Sequence, residues 1–249
     1  MSKVGEANIC PFIRADTDVT GPSNEYEATT AILSIYDAFG YFPQTQQGAD
    51  MVSAALSSAV EPTVVIMPDF FHGNAVPIEW YPPDTDEKRA GVAEWFKTAL
   101  PPLHVPKVPG IIATAEQVFP RIRTWGVLGY CWGGKMASLL SARQQKQQQR
   151  ETFKAAVQLH PGLIDPSEAA EIVIPTCMLA SMDEDVIEVR NYDASLTKPK
   201  VKHIETFTDQ VHGWLSARAD LKNQRVRAEY ERGYQIVVKF FAENLWGDR

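Results

Sequence analysis

Cysteine is scarce: Cys10, Cys131 and Cys177 are the three in 249 residues. An odd, widely spaced trio makes neither a disulfide framework nor a zinc-type ligand set, and it fits free thiols in a reducing, cytoplasmic compartment. Positive charge is outnumbered, with 24 Lys and Arg against 31 Asp and Glu and a formal net charge of −7. Without a basic run or an interleaved basic and aromatic patch, the chain has no electrostatic footprint for nucleic acid, and no such partner is expected. No apolar run is long enough to span a bilayer. The opening MSKVGEANICPFIRADTDV lacks a charged segment followed by an apolar core of the secretory kind. Neither a membrane partner nor a metal or other cofactor is expected.

What is present is enough apolar residue, 45% of the chain, to bury a substantial core, and one domain over residues 1–249 is the expected organisation. Short apolar runs bounded by turn residues read as strands: Ala31 to Tyr36, Thr63 to Met67, Trp125 to Leu128, Ala155 to Leu159, Ile174 to Ala180 and Lys202 to Phe207. Helical spacing recurs between them, over Gln44 to Ser58, Asp86 to Leu100, Ile111 to Phe119, Gly134 to about Gln148 and Leu221 to Leu245. This alternation predicts an α/β fold with a mostly parallel sheet and helices on both faces. The glutamine-rich tract Gln144 to Gln149 reads as the solvated end of a helix. From Phe70 to Pro83, prolines and aromatics are dense. That segment is expected as a rigid loop, either a pocket wall or a cover for the sheet edge.

The most informative stretch is Gly129-Tyr130-Cys131-Trp132-Gly133-Gly134, between a buried strand and a helix. A strand that turns directly into a helix strains the residue at the apex, and glycines two residues on either side relieve the crowding. The apex side chain then stands at a helix N-terminus, where unpaired N–H groups and the helix dipole favour a thiolate. Alone, the pattern is weak, because a free cysteine is commonly a small buried apolar residue.

An acid and a histidine follow in order. The strand ending at Ala180 runs into Ser181-Met182-Asp183-Glu184-Asp185, and the strand ending at Phe207 is followed by His212-Gly213-Trp214. Nucleophile, acid, histidine, each just beyond a strand's carboxyl end, is the α/β-hydrolase order, and such ends converge on one crevice in a parallel sheet. Among the carboxylates Asp183 competes with Glu184 and Asp185. Among the histidines His212 competes with His160, which precedes the acid and reads as pocket-lining or capping. His203 lies inside a strand, His104 in a proline-rich loop, and His72 reads as pocket wall or surface.

These residues carry a resemblance to the dienelactone hydrolase (carboxymethylenebutenolidase-like) family. Gly129 to Gly134 resembles its G-Y-C-x-G-G, His212-Gly213-Trp214 its H-G-[FW], Tyr36 to Gly40 its E-x-F-G turn, and Met67 to Phe71 its P-D-L-Y. The stretches Tyr36 to Asp50 and Met67 to Gly73 resemble the fungal branch. The resemblance implies an α/β-hydrolase fold without a large separate lid domain. It also implies a Cys131, His212 and Asp183 triad, the family register selecting Asp183 from its neighbours, and an oxyanion hole of the Trp132 and Ala38 N–H groups. The expected substrate is a small activated ester or lactone, because a thiolate nucleophile is itself a good leaving group. Asp37 stands where the family's thiol-touching glutamate does and reads equally as a turn residue that binds backbone N–H groups; Gly73 stands where the family has a substrate-binding arginine, and Arg218 is the nearest match to a second such arginine. His72, His160 and Trp214 complete the expected surroundings. The competing expectation is a non-catalytic or redox-sensing member of the fold, in which Cys131 responds to oxidants.

Overall fold

The computed structural model describes residues 18–21, 27–59, 61–146 and 152–246. Cys10 and the tract beyond Lys146 lie outside the described residues. Five short apolar runs become fully or almost fully buried strands: β2 (Thr30–Ile35), β3 (Thr63–Met67), β4 (Thr124–Tyr130), β5 (Phe153–Leu159) and β6 (Thr176–Ser181). Such near-continuous apolar strands are what a parallel sheet covered on both faces requires. β7 (Lys202–Phe207) is polar and only partly buried, as suits an edge. The opposite edge is β1 (Asp18–Thr20), which pairs antiparallel with β3. Sequence patterning over so short a segment gave no sign of it.

The seven strands run in the order β1-β3-β2-β4-β5-β6-β7, with β2 to β7 parallel. Helix α1 (Pro43–Ala59) crosses from β2 to β3 toward one edge, whereas α5 (Trp132–Lys146) crosses from β4 to β5 toward the other. Right-handed crossovers in opposite directions place these helices on opposite faces. The long α8 (Gln224–Asn244) packs beside α1. Between β3 and β4 lie α2 (Asp86–Ala99), the single turn α3 (Pro101–His104) and α4 (Val108–Val118), with α3 against α5. The turn α6 (Pro166–Ala169) follows β5, and α7 (Val186–Ser195) follows β6. Among the described residues no helix is long and apolar enough to cross a membrane.

The aromatic segment after β3 turns inward. Phe71 lies 4.7 Å from the Trp132 ring and 4.9 Å from the Trp95 ring, and Phe70 lies 5.6 Å from Trp132. These side chains are buried and brace the first residue of α5. The point where the sheet reverses its order, between β2 and β4, is thus packed from behind, and the carboxyl ends of β2, β4, β5, β6 and β7 open on one side of it.

Candidate active site

Cys131 sits between β4 and α5 with φ 49°, a left-handed conformation that a residue with a β-carbon rarely adopts. The glycines around it are there for space. A β-carbon on Gly129 would run into the Gly133 carbonyl, and one on Gly133 into the Ile35 carbonyl of β2. The Cys131 N–H donates to Leu159 O at 3.0 Å and its carbonyl accepts from Gly162 N–H at 3.0 Å, so the apex is tied to the exit of β5. The side chain is half-buried.

His212 is brought by the loop after β7 close enough to Cys131 for the two to interact electrostatically. Its Nδ1 lies 2.5 Å from Glu184 Oε1. That carboxylate is almost wholly buried, with 4% of the side chain exposed. It folds back to accept from the Ser181 N–H, and from the Ser181 hydroxyl at 3.0 Å. Asp183, expected on the imidazole, is exposed and accepts the His212 backbone N–H at 2.8 Å instead. The correction has a simple cause. The turn after β6 points Asp183 along the histidine loop, whereas the longer Glu184 reaches under the ring. Asp185, the other competitor, caps α7 through the Ile187 and Glu188 N–H groups.

Burial disfavours a charge on His212, but the negative sulfur of Cys131, its hydrogen bond, and Glu184 outweigh it and raise the imidazole to about 11. His160 behaves oppositely: burial, then the charges of His212 and Arg218, hold it well below the ordinary histidine value. Its ring packs 5.1 Å from that of His212. The Ser216 hydroxyl donates to Asp37 Oδ2 at 2.6 Å and lies 3.4 Å from His160 Nε2, so the neutral ring offers its Nε2–H to Ser216.

Of the two roles open to Asp37, thiol neighbour and binder of turn N–H groups, the structure shows the second. Besides Ser216 it accepts from Phe39 N–H at 2.9 Å and Ala217 N–H at 3.4 Å, joining the turn after β2 to the histidine loop. Burial raises its carboxyl above the ordinary range, against the pull of the Ser216 hydroxyl, those N–H groups and the His212 charge. Trp214, expected near substrate, is fully buried against Phe207, ring to ring at 4.3 Å. The core claims it. His72 is exposed and lines a cavity of about 200 Å³ with Phe70, Asn74, His104 and Lys107, away from Cys131 and His212. His104 is not in a loop but on α3, buried, its Nε2 2.9 Å from Thr98 O. A larger opening, lined by Glu116, Arg123, Trp125 and Lys154, lies at the amino ends of β4 and β5, the wrong end for the chemistry. Gly73 has φ 77°, so an arginine there would be strained even though the space around it is open. Arg218 stands at the rim. Its Nη1 donates to the His212 carbonyl at 2.5 Å and its guanidinium stacks 4.4 Å above the Tyr81 ring.

Trp132 opens α5, where the first N–H groups have no acceptor within the helix. Ala38 lies in the tight turn after β2, closed by Gly40 N–H to Asp37 O at 3.2 Å. Among the described residues no three His, Cys, Asp or Glu side chains gather as a metal site. A nucleophile at a strained elbow, a histidine on it and a carboxylate behind the histidine is an arrangement suited to acyl transfer.

The dienelactone hydrolase family model matches residues 16–245. The chain belongs to the dienelactone hydrolase family. It is by that membership a carboxylic ester hydrolase-type enzyme of the α/β-hydrolase fold. An uncharacterized AIM2 family protein of Schizosaccharomyces pombe is 31% identical over 215 residues, covering 85% of this chain and 82% of its own. A human carboxymethylenebutenolidase homolog is 26% identical, over 78% of this chain and 74% of its own. In fold, the chain resembles a putative dienelactone hydrolase from Klebsiella pneumoniae, with a TM-score of 0.65 at 15% identity over 91% of this chain and 99% of that one.

Proposed function

We propose that this enzyme hydrolyses small activated esters or lactones, of the enol-ester and enol-lactone type, through a thioester on Cys131. The observation that carries the reading is His212 held between the Cys131 sulfur, whose charge raises the imidazole, and Glu184, 2.5 Å from Nδ1. With His212 raised to about 11, the imidazole already holds a proton at neutral pH beside the attacking sulfur.

The sulfur adds to the carbonyl carbon, and the carbonyl π electrons move to oxygen, where the N–H groups of Trp132 and Ala38 receive them. Collapse breaks the bond to the leaving oxygen, which takes the proton from His212. The imidazole, now neutral, removes a proton from water as the water adds to the thioester. The second collapse expels the sulfur, frees the acid and restores the resting pair. Glu184 fixes the tautomer throughout and offsets the imidazolium charge. Leaving groups must compete with a thiolate, which supports enol and aryl esters over alkyl esters.

The test is p-nitrophenyl acetate with the parent and Cys131→Ala, followed by mass spectrometry of the quenched parent. Nitrophenolate release that depends on Cys131, with an acetyl group mapped to that residue, is expected. Undiminished release by Cys131→Ala would sink the proposal.

A further inference from the structure

Four of the exposed large apolar side chains belong to the two segments that carry Gly162 and Glu184: Leu163 at 57% exposed, Met182 at 52%, Val186 at 54% and Ile187 at 61%. They come from two segments only, the loop after β5 and the turn after β6 that runs into α7. Those segments are neighbours. β5 and β6 pair in parallel, His160 N–H donates to Leu179 O at 2.7 Å where the strands end, and α6 packs on α7. Isolated exposed apolar residues are ordinary on protein surfaces, but clustering around a crevice is what marks a binding face.

Each segment also touches the reacting groups. Gly162, next to Leu163, would place a β-carbon 3.7 Å from Cys131 Sγ. Glu184, between Met182 and Val186, is the carboxylate on His212. Leu163 itself holds φ 55°, a left-handed conformation unfavourable for leucine, with its side chain turned to solvent. The acidic Asp183 and Asp185, both exposed, lie between Met182 and Val186, so the face repels an anion while accepting hydrocarbon.

Resting on the hydrolase reading above, we infer that Leu163, Met182, Val186 and Ile187 form the seat for an uncharged apolar chain attached to the ester, so that the enzyme takes neutral esters with an alkyl or aryl tail in preference to small or carboxylate-bearing ones. Continuity with Cys131 selects substrate over a second copy of the chain, since a copy seated there would cover the thiol.

The experiment has two arms. The first measures kcat/KM for p-nitrophenyl acetate, butanoate and hexanoate in the parent and in Leu163→Ser/Ile187→Ser. The hexanoate-to-acetate ratio should be about tenfold in the parent, as partial burial of four methylenes implies, and should fall close to one in the variant. The second arm compares alkylation of Cys131 by iodoacetamide and by N-hexyl iodoacetamide, which needs no turnover. The longer reagent should react about tenfold faster in the parent only. Failure of ester turnover with a retained alkylation preference would defeat the hydrolase reading and leave the apolar seat standing. Equal alkylation rates in the parent, a preference that survives the double replacement, or a dimer in sedimentation loosened by that replacement would each overturn the inference.

Discussion

His212 Nδ1 stands 2.5 Å from Glu184 Oε1, while Asp183 takes the same residue's backbone N–H at 2.8 Å. The two adjacent carboxylates thus divide the work, one holding the ring and the other the loop. Glu184→Gln should therefore lower kcat/KM for an activated ester by about 10³- to 10⁴-fold, the scale for a misdirected tautomer. Asp183→Asn keeps an oxygen acceptor for the loop N–H and should cost less than about tenfold. Steady-state kinetics on the two variants decides the matter, and the reverse order of effects would restore Asp183 to the ring.

The raised imidazole has a consequence for stability. A basic group with a folded value of about 11 and an unfolded value near 6.5 contributes fully below the unfolded value and loses the contribution as pH climbs through the folded one. Thermal melts should show this part of the stability declining from about pH 6.5 to 11 in the parent. Cys131→Ala removes the sulfur that does most of the raising, so its melting temperature should fall less across the same range. Parallel curves for the two proteins would remove the ion pair.

Much of the site could be read from sequence because its constraints are local. Gly129 and Gly133 are demanded by backbone crowding around a single apex, and that crowding shows as a pattern. The acid was harder, since Asp183, Glu184 and Asp185 are consecutive and only the path of the turn decides which reaches the ring. Helix α7 leaves no periodic signal because its apolar residues do not share a face: Val189 and Tyr192 are buried while Val186 and Ile187 are exposed. Trp214 stands beside motif residues in the sequence, yet its side chain turns into the core, and Asp37 takes up the turn N–H and the loop brace. Nothing along the chain links Asp37 to Ser216, which is 179 residues away.

That distant pair makes its own prediction. Ser216 is bonded both to Asp37, at 2.6 Å, and to His160, at 3.4 Å, and all three residues are buried. Ser216→Ala deprives a buried carboxylate of its hydroxyl donor and a buried imidazole of its acceptor. Denaturant unfolding should register a loss of about 1–3 kcal/mol. A change below roughly 0.5 kcal/mol would mean that the brace is dispensable.

The two described thiols should differ sharply. Cys177 is fully buried in β6, and burial together with the charge of Glu205 pushes its thiol well above the usual range. Cys131 is half-buried and beside a cationic ring. Iodoacetamide at neutral pH with peptide mapping should modify Cys131 while Cys177 stays untouched until denaturant is added. Labelling of Cys177 in the native protein at a comparable rate would contradict the packing of that strand.

Arg218 is the remaining cation at the rim, and its bonds point to a loop clasp more than to an anion clamp. The guanidinium donates to the His212 carbonyl and rests on Tyr81, so it secures the backbone of His212. A clamp would discriminate by substrate charge, because removing it costs only the substrate that bears a carboxylate. A clasp would not discriminate, because a looser His212 slows every substrate alike. Arg218→Ala should accordingly reduce kcat/KM by about tenfold, the worth of a charge-assisted hydrogen bond, for a carboxylate-bearing lactone and for a matched neutral enol lactone alike. Loss confined to the anionic lactone, with the neutral one spared, would show that the guanidinium leaves the loop to meet the substrate's carboxylate.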